Sequence, residues 1–133
     1  ENGCRMRLLL DTHLVLWWEA NHPRLPKQVT ELVCNEAEAV FVSRASLWEI
    51  AIKISIGRLK MDIVRFTHNV EQHGFEWLDI KNNHLLAIAT LPAFDDHRDP
   101  FDRLLVAQSQ TEPLVLLTAD SVLARYGSTV QVV

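Results

Sequence analysis

The stretch Arg7-Leu8-Leu9-Leu10-Asp11-Thr12-His13 decides the fold. Three consecutive leucines lack the alternation of a strand with one wet face. A short apolar run closed by polar residues suits a central parallel strand, covered by helices on both sides. Asp11 then ends that strand, on the edge where open α/β sheets place their ligands. A carboxylate there can bind a metal or act as a nucleophile. It has an equally ordinary structural explanation: Asp is a favoured N-cap, and Leu14-Val15-Leu16-Trp17 follows in a helical pattern.

The same alternation of strand and helix continues outward. Thr12 to about Ala20 reads as a short helix stopped by Asn21-His22-Pro23, and Pro26 opens another through Val29, Leu32 and Val33. Ala39-Val40-Phe41-Val42 is a second buried strand, with Ser43 capping a helix that runs to Gly57. Leu47, Ile50, Ala51 and Ile54 form its apolar stripe. Asp62 to His73 is a further helix, and Phe75 to Ile80 a third strand, wetter on one face and so near a sheet edge. Asn82 or Asn83 is expected to cap a short helix ending before Pro92. Leu114-Val115-Leu116-Leu117-Thr118 repeats the first strand's pattern, and Thr129 to Val133 is a last strand. The expected fold class is α/β, a three-layer α/β/α domain with a central, mostly parallel sheet of about five strands. One domain over 6–133 is expected, with 1–5 an extension that is disordered or foreign to the native chain.

Composition narrows the function classes. At 133 residues, 48% hydrophobic and 23% charged, the chain has the make-up of a soluble globular domain. It lacks the roughly 20-residue apolar run of a membrane helix and the architecture of a signal peptide. Two cysteines make neither a disulfide framework nor a zinc site and fit a reducing cytoplasm. Six histidines show no ligand spacing, and four glycines make no phosphate loop. A net charge of −4 means that any nucleic acid must be met by local basic groups or bound cations.

Four carboxylates stand out. Asp11 and Asp120 end buried strands, Glu49 lies in the second turn of a helix that follows a strand, and Asp102 begins a helix. In Asp99-Pro100-Phe101-Asp102, Pro100 belongs at the first helical position, which makes Asp99 the N-cap. Glu49 also has a plain explanation as an i,i+4 partner of Lys53, worth about 0.2–0.5 kcal/mol. In a parallel sheet, strand ends and the helix starts that follow them share one edge, so the four can converge. Carboxylates brought together raise one another's pKa, and a divalent cation relieves the conflict. All-oxygen donors select Mg²⁺ or Mn²⁺ over zinc.

Leu8-Leu9-Leu10-Asp11-Thr12-His13, Ser46-Leu47-Trp48-Glu49-Ile50, His97-Arg98-Asp99-Pro100-Phe101-Asp102-Arg103-Leu104-Leu105 and Leu117-Thr118-Ala119-Asp120 together resemble the PIN-domain ribonucleases, especially VapC-type toxins of bacterial toxin–antitoxin pairs. In order and spacing they cover the chain from Met6 onward. The resemblance implies hydrolysis of an RNA phosphodiester by a metal-activated water, with Asp11, Glu49, Asp102 and Asp120 holding Mg²⁺ or Mn²⁺ and Asp99 as a less certain fifth ligand. Thr12 and Thr118 would orient carboxylates, and Arg44, Lys53, Arg98 and Arg103 could contact RNA. A homodimer, a cognate antitoxin and a cytoplasmic location are implied too. Two other readings stay open. One is a PIN-like module that binds RNA or a partner without cutting. The other is a phosphatase with Asp11 as nucleophile, although His13 stands where such enzymes usually carry a second Asp.

Overall fold

Leu8, Leu9 and Leu10 are fully buried in β1 (Met6–Leu10), the middle strand of a five-stranded sheet. The computed structural model describes residues 5–133, so the expected extension over 1–5 lies outside the described residues except for the exposed Arg5. The other strands are β2 (Ala37–Ser43), β3 (Glu76–Leu78), β4 (Val115–Thr118) and β5 (Val130–Val132), in the order β3-β2-β1-β4-β5. Every pairing is parallel, with Leu10 opposite Val42 on one side and Leu117 on the other. Parallel neighbours require crossovers, and helical segments supply them. These are α1 (Thr12–Glu19), α2 (Lys27–Glu31, running into a π turn over Leu32–Glu36), α3 (Arg44–Ser55), α4 (Ile63–Gln72), α5 (Asn82–Ile88) and α6 (Pro100–Thr111). A 3₁₀ segment, Ser121–Tyr126, joins β4 to β5.

The leucine run divides between two cores, which is why it does not alternate with polar residues. Leu8 and Leu10 pack with Leu14, Val29, Ile50 and Phe66 on one face. Leu9 points the other way, to Leu105, Leu116, Leu123 and Tyr126. Three layers follow directly, as expected. Strand β3 is shorter than the expected Phe75–Ile80 but does lie at the sheet edge.

Two local expectations are corrected. Helix α5 is capped by Lys81, not by Asn82 or Asn83: the Lys81 backbone N–H donates to Nδ1 of His84, 3.1 Å away. A fully buried imidazole thus does the work of a cap side chain, and its Nε2 lies 2.5 Å from Glu112 Oε2. Along α3, Leu47, Ile50 and Ile54 pack on the core as expected, but Ala51 is exposed, and Ala45, Ser46 and Glu49 are buried beside them. The inward face of this helix is partly polar because it borders the site described next.

Candidate functional site

With strand order β3-β2-β1-β4-β5, successive connections depart in opposite directions from β1 and β4. Such a switch point opens a crevice beyond the carboxyl ends of the two strands. Asp11 lies there at the end of β1, its backbone N–H donating to Leu117 O of β4 at 3.1 Å. Its side chain performs both tasks that the sequence left open. Oδ1 accepts from Leu14 N at 2.8 Å and so caps α1, while Oδ2 accepts from Thr118 Oγ1 at 2.5 Å. Thr118 in turn accepts from the backbone N–H of Asp120 at 3.0 Å. One hydroxyl therefore fixes Asp11 and the turn that carries Asp120. Asp120 itself is exposed and caps the 3₁₀ segment through Val122 N at 3.0 Å.

Glu49 is buried on α3 and also combines two roles. Oε2 pairs with Lys53 Nζ at 3.0 Å, and Oε1 accepts from Thr12 Oγ1 at 2.9 Å. Thr12 Oγ1 also lies 2.8 Å from Ser46 Oγ. The Thr12 hydroxyl thus faces two acceptors on α3, Glu49 and Ser46. Each of the two threonines donates to one of the two carboxylates.

Helix α6 brings in Asp102. Asp99 Oδ1 accepts from the backbone N–H groups of Phe101 (2.9 Å) and Asp102 (3.0 Å), so capping accounts for Asp99 in full. Asp102 has another partner: Oδ2 lies 3.2 Å from His97 Nε2. An ionised carboxylate only accepts, so in the neutral ring Nε2 carries the proton and donates to Asp102. Nδ1 is then the acceptor for the Tyr126 hydroxyl, 2.8 Å away, whose oxygen also accepts from Arg103 at 3.2 Å. Nothing in the sequence singles out Tyr126. No spacing rule links a residue before α6 to one in the 3₁₀ segment.

The electrostatics are those of an uncompensated acidic edge. Burial, opposed by the Thr118 hydrogen bond, pushes the Asp11 carboxyl up, and the charge of Glu49 adds to the rise. Asp102 is pushed up to about 6, first by burial, then by the charge of Asp99 and, more weakly, of Asp11. Burial rather than mutual repulsion leads in both. Among the described residues, Lys53–Glu49 is the one Lys or Arg ion pair made by Asp11, Glu49, Asp102 or Asp120. Buried oxygen donors with unneutralised charge suit a hard divalent cation. Among the described residues, however, no three His, Cys, Asp or Glu side chains stand close enough to share one ion. The four carboxylates share an edge without yet forming a coordination shell.

The expected RNA-contacting cations are all engaged. Arg44 pairs with Asp79 at 2.9 Å and lies over the Trp77 ring. Lys53 holds Glu49, and Arg98 reaches Asp95 at 3.4 Å. Arg103 donates to Pro92 O at 2.9 Å and to Tyr126. No helix among the described residues is long and apolar enough to cross a membrane.

Comparison with known proteins agrees with this architecture. The PIN-domain family profile matches residues 8–128. No curated protein matches the chain significantly. Among solved structures, the VapBC2 complex of Rickettsia felis bound to a promoter DNA fragment superposes with a TM-score of 0.66 at 14% identity, covering 96% of this chain and 97% of that one. A Klebsiella pneumoniae toxin–antitoxin complex gives 0.65 at 14% identity, over 93% and 95% of the two chains. DNA-bound VapBC from Salmonella typhimurium gives 0.63 at 15% identity, over 96% of each. At these identities the likeness is one of fold.

Proposed function

This chain belongs to the PIN-domain family, whose members are generally nucleases, and from that premise we propose that it is a VapC-type toxin hydrolysing RNA phosphodiesters with Mg²⁺ or Mn²⁺. The observation that carries the proposal is Asp11. It is a buried carboxylate at the β1/β4 switch point, oriented by Thr118 and, among the described residues, in no ion pair, on the edge that also bears Glu49, Asp102 and Asp120. Asp11, Glu49, Asp102 and Asp120 would hold the metal, with Asp99 a further candidate. A bound divalent ion supplies an activated water and offsets charge on the phosphoryl group.

The chain's own groups prepare that chemistry. Thr118 and Thr12 fix the Asp11 and Glu49 carboxylates, and His97, fixed by Tyr126, does the same for Asp102. Lys53 partly neutralises Glu49. Antitoxin binding and a homodimer belong to the same proposal. Trp48, Ile52 and Ile56 recur at four-residue intervals along α3 and are exposed, which supports a protein-covered face.

The test is cleavage of a labelled total-RNA pool by purified, antitoxin-free protein with Mg²⁺ or Mn²⁺, then with EDTA. Discrete fragments that disappear with EDTA, and that neither Asp11→Asn nor Asp102→Asn produces, are the expected result. Full cleavage by a folded Asp102→Asn protein would sink the assignment. Silence under every metal would favour the non-catalytic binding module, for which the separation of the four carboxylates is the supporting observation.

A further inference from the structure

A cavity of about 290 Å³ opens beside the acidic edge, lined by Asp11, His13, Trp17, Arg24, Ala119 and Asp120. We propose that it is a subsite for one nucleotide of single-stranded RNA next to the cleaved bond, with Arg24 binding the phosphate and Trp17 flanking the base. This rests on the ribonuclease reading above and adds substrate-binding residues to it.

The case for Arg24 is one of elimination and placement. An acidic protein must meet phosphates with local cations, and Arg44, Lys53, Arg98, Arg103 and Arg125 are all committed to carboxylates or to Tyr126 and a carbonyl. Arg24 is exposed, and among the described residues its guanidinium makes no ion pair. Its turn is nonetheless firmly built. His22 N–H donates to Trp17 O at 2.9 Å, Arg24 N–H to His22 Nδ1 at 3.0 Å, and Leu25 N–H to His22 O at 3.1 Å. Asn21 makes the reversal possible with φ 49°, a left-handed conformation that Asn tolerates.

A cation with no ion pair among the described residues thus lines the cavity that contains two of the candidate metal ligands. Two negative groups in that cavity would repel a phosphate by themselves, and Arg24 offsets them locally. The aromatic wall is Trp17, half-buried, with the His22 ring stacked 5.8 Å away and His13 at 6.1 Å. Aromatic faces bind bases by stacking without regard to sequence. A volume near the lower end of small-ligand sites, about 300 Å³, suits one nucleotide and not a duplex.

The experiment measures binding of a fluorescein-labelled 12-nucleotide oligouridine to the full chain carrying Asp102→Asn, by anisotropy over a salt series. Adding Arg24→Ala should weaken binding roughly tenfold and reduce the slope of log K against log salt by about 0.7, the value of one single-strand phosphate contact. Arg24→Lys should keep the slope. Mn²⁺ affinity of Arg24→Ala in the otherwise unaltered chain should not fall, since Arg24 offers no ligand. Unchanged RNA affinity and slope in Arg24→Ala, with metal-dependent cleavage intact in the parent, overturn the subsite and leave the nuclease standing. A parent that neither binds nor cuts RNA overturns both.

Discussion

In metal-free protein, Asp102→Asn should stabilise the fold, and the gain should depend on pH. The Asp102 carboxyl is moved from 3.8 to about 6, so ionising it costs about 3 kcal/mol more in the folded protein than in the unfolded chain. The sign follows from proton counting. Between pH 3.8 and about 6 the folded state keeps a proton that the unfolded chain has lost, so stability falls as pH rises through that window. Above it the penalty is complete, and towards pH 4 it fades. Two effects reduce what asparagine recovers. The side chain is 28% exposed, so solvent screens part of the penalty. A negative charge near the α6 N-terminus is itself worth about 0.3–1 kcal/mol, which asparagine forfeits. A net gain of about 1–2 kcal/mol remains at pH 8. With m near 2 kcal/mol/M, that moves the urea midpoint up by about 0.5–1 M. Urea titrations in EDTA at pH 8 and pH 4 measure it. A midpoint no higher than the parent's at pH 8, or a gain of equal size at both pH values, would refute the argument. The variant predicted to be the more stable is also one predicted to be inactive, as expected where a site stores unfavourable charge.

Three further outcomes are expected. Thr118→Val removes the donor to Asp11 Oδ2 and the acceptor for Asp120 N–H; calorimetric Mn²⁺ affinity should drop about 10- to 100-fold, and an unaltered value would remove Thr118 from the site. Tyr126→Phe takes away the partner of His97 Nδ1. Nitrogen-15 NMR of the parent should show His97 protonated at Nε2 and that of the variant a mixture of tautomers, whereas Nδ1–H in the parent would contradict the hydrogen-bond chain. Leu9→Ala opens a cavity under the centre of the sheet and should cost about 2–5 kcal/mol in chemical denaturation; a loss below 1 kcal/mol would mean that this core collapses freely.

The fold was legible because its signals are local. An unbroken leucine run ending in Asp11, its echo at Leu114–Thr118, and the Asp99-Pro100 helix start each lie within a few residues, and each stands where expected. The cap of α5 was misread because its acceptor is a side chain buried by tertiary packing, His84, and not the polar residue nearest the helix. On α3 Ala51 alone of the expected stripe is exposed, because periodicity counts apolar letters, whereas this helix also turns Ser46 and Glu49 inward. For Asp11 and Glu49, structural and functional readings were posed as rivals. Carboxylates have two oxygens, and each residue uses one for local structure while the other accepts from a threonine or joins an ion pair. The hydrogen-bond chain from Arg103 through Tyr126 and His97 to Asp102 was invisible because it joins segments brought together only by the fold.

The bond between Thr118 and Asp11 also sets an order of events when the chain is made. Asp11 leaves the ribosome more than a hundred residues before Thr118. Until β4 has been translated, β1 has one bare edge, and the Asp11 carboxylate lacks the hydroxyl that aims it. Contacts so distant in sequence form late, after the entropy of closing a long loop has been overcome. The acidic edge is therefore completed only after β4 and Thr118 have emerged. The candidate metal ligand at the end of β1 thus stays without its orienting hydroxyl until the β1–β4 pairing has formed.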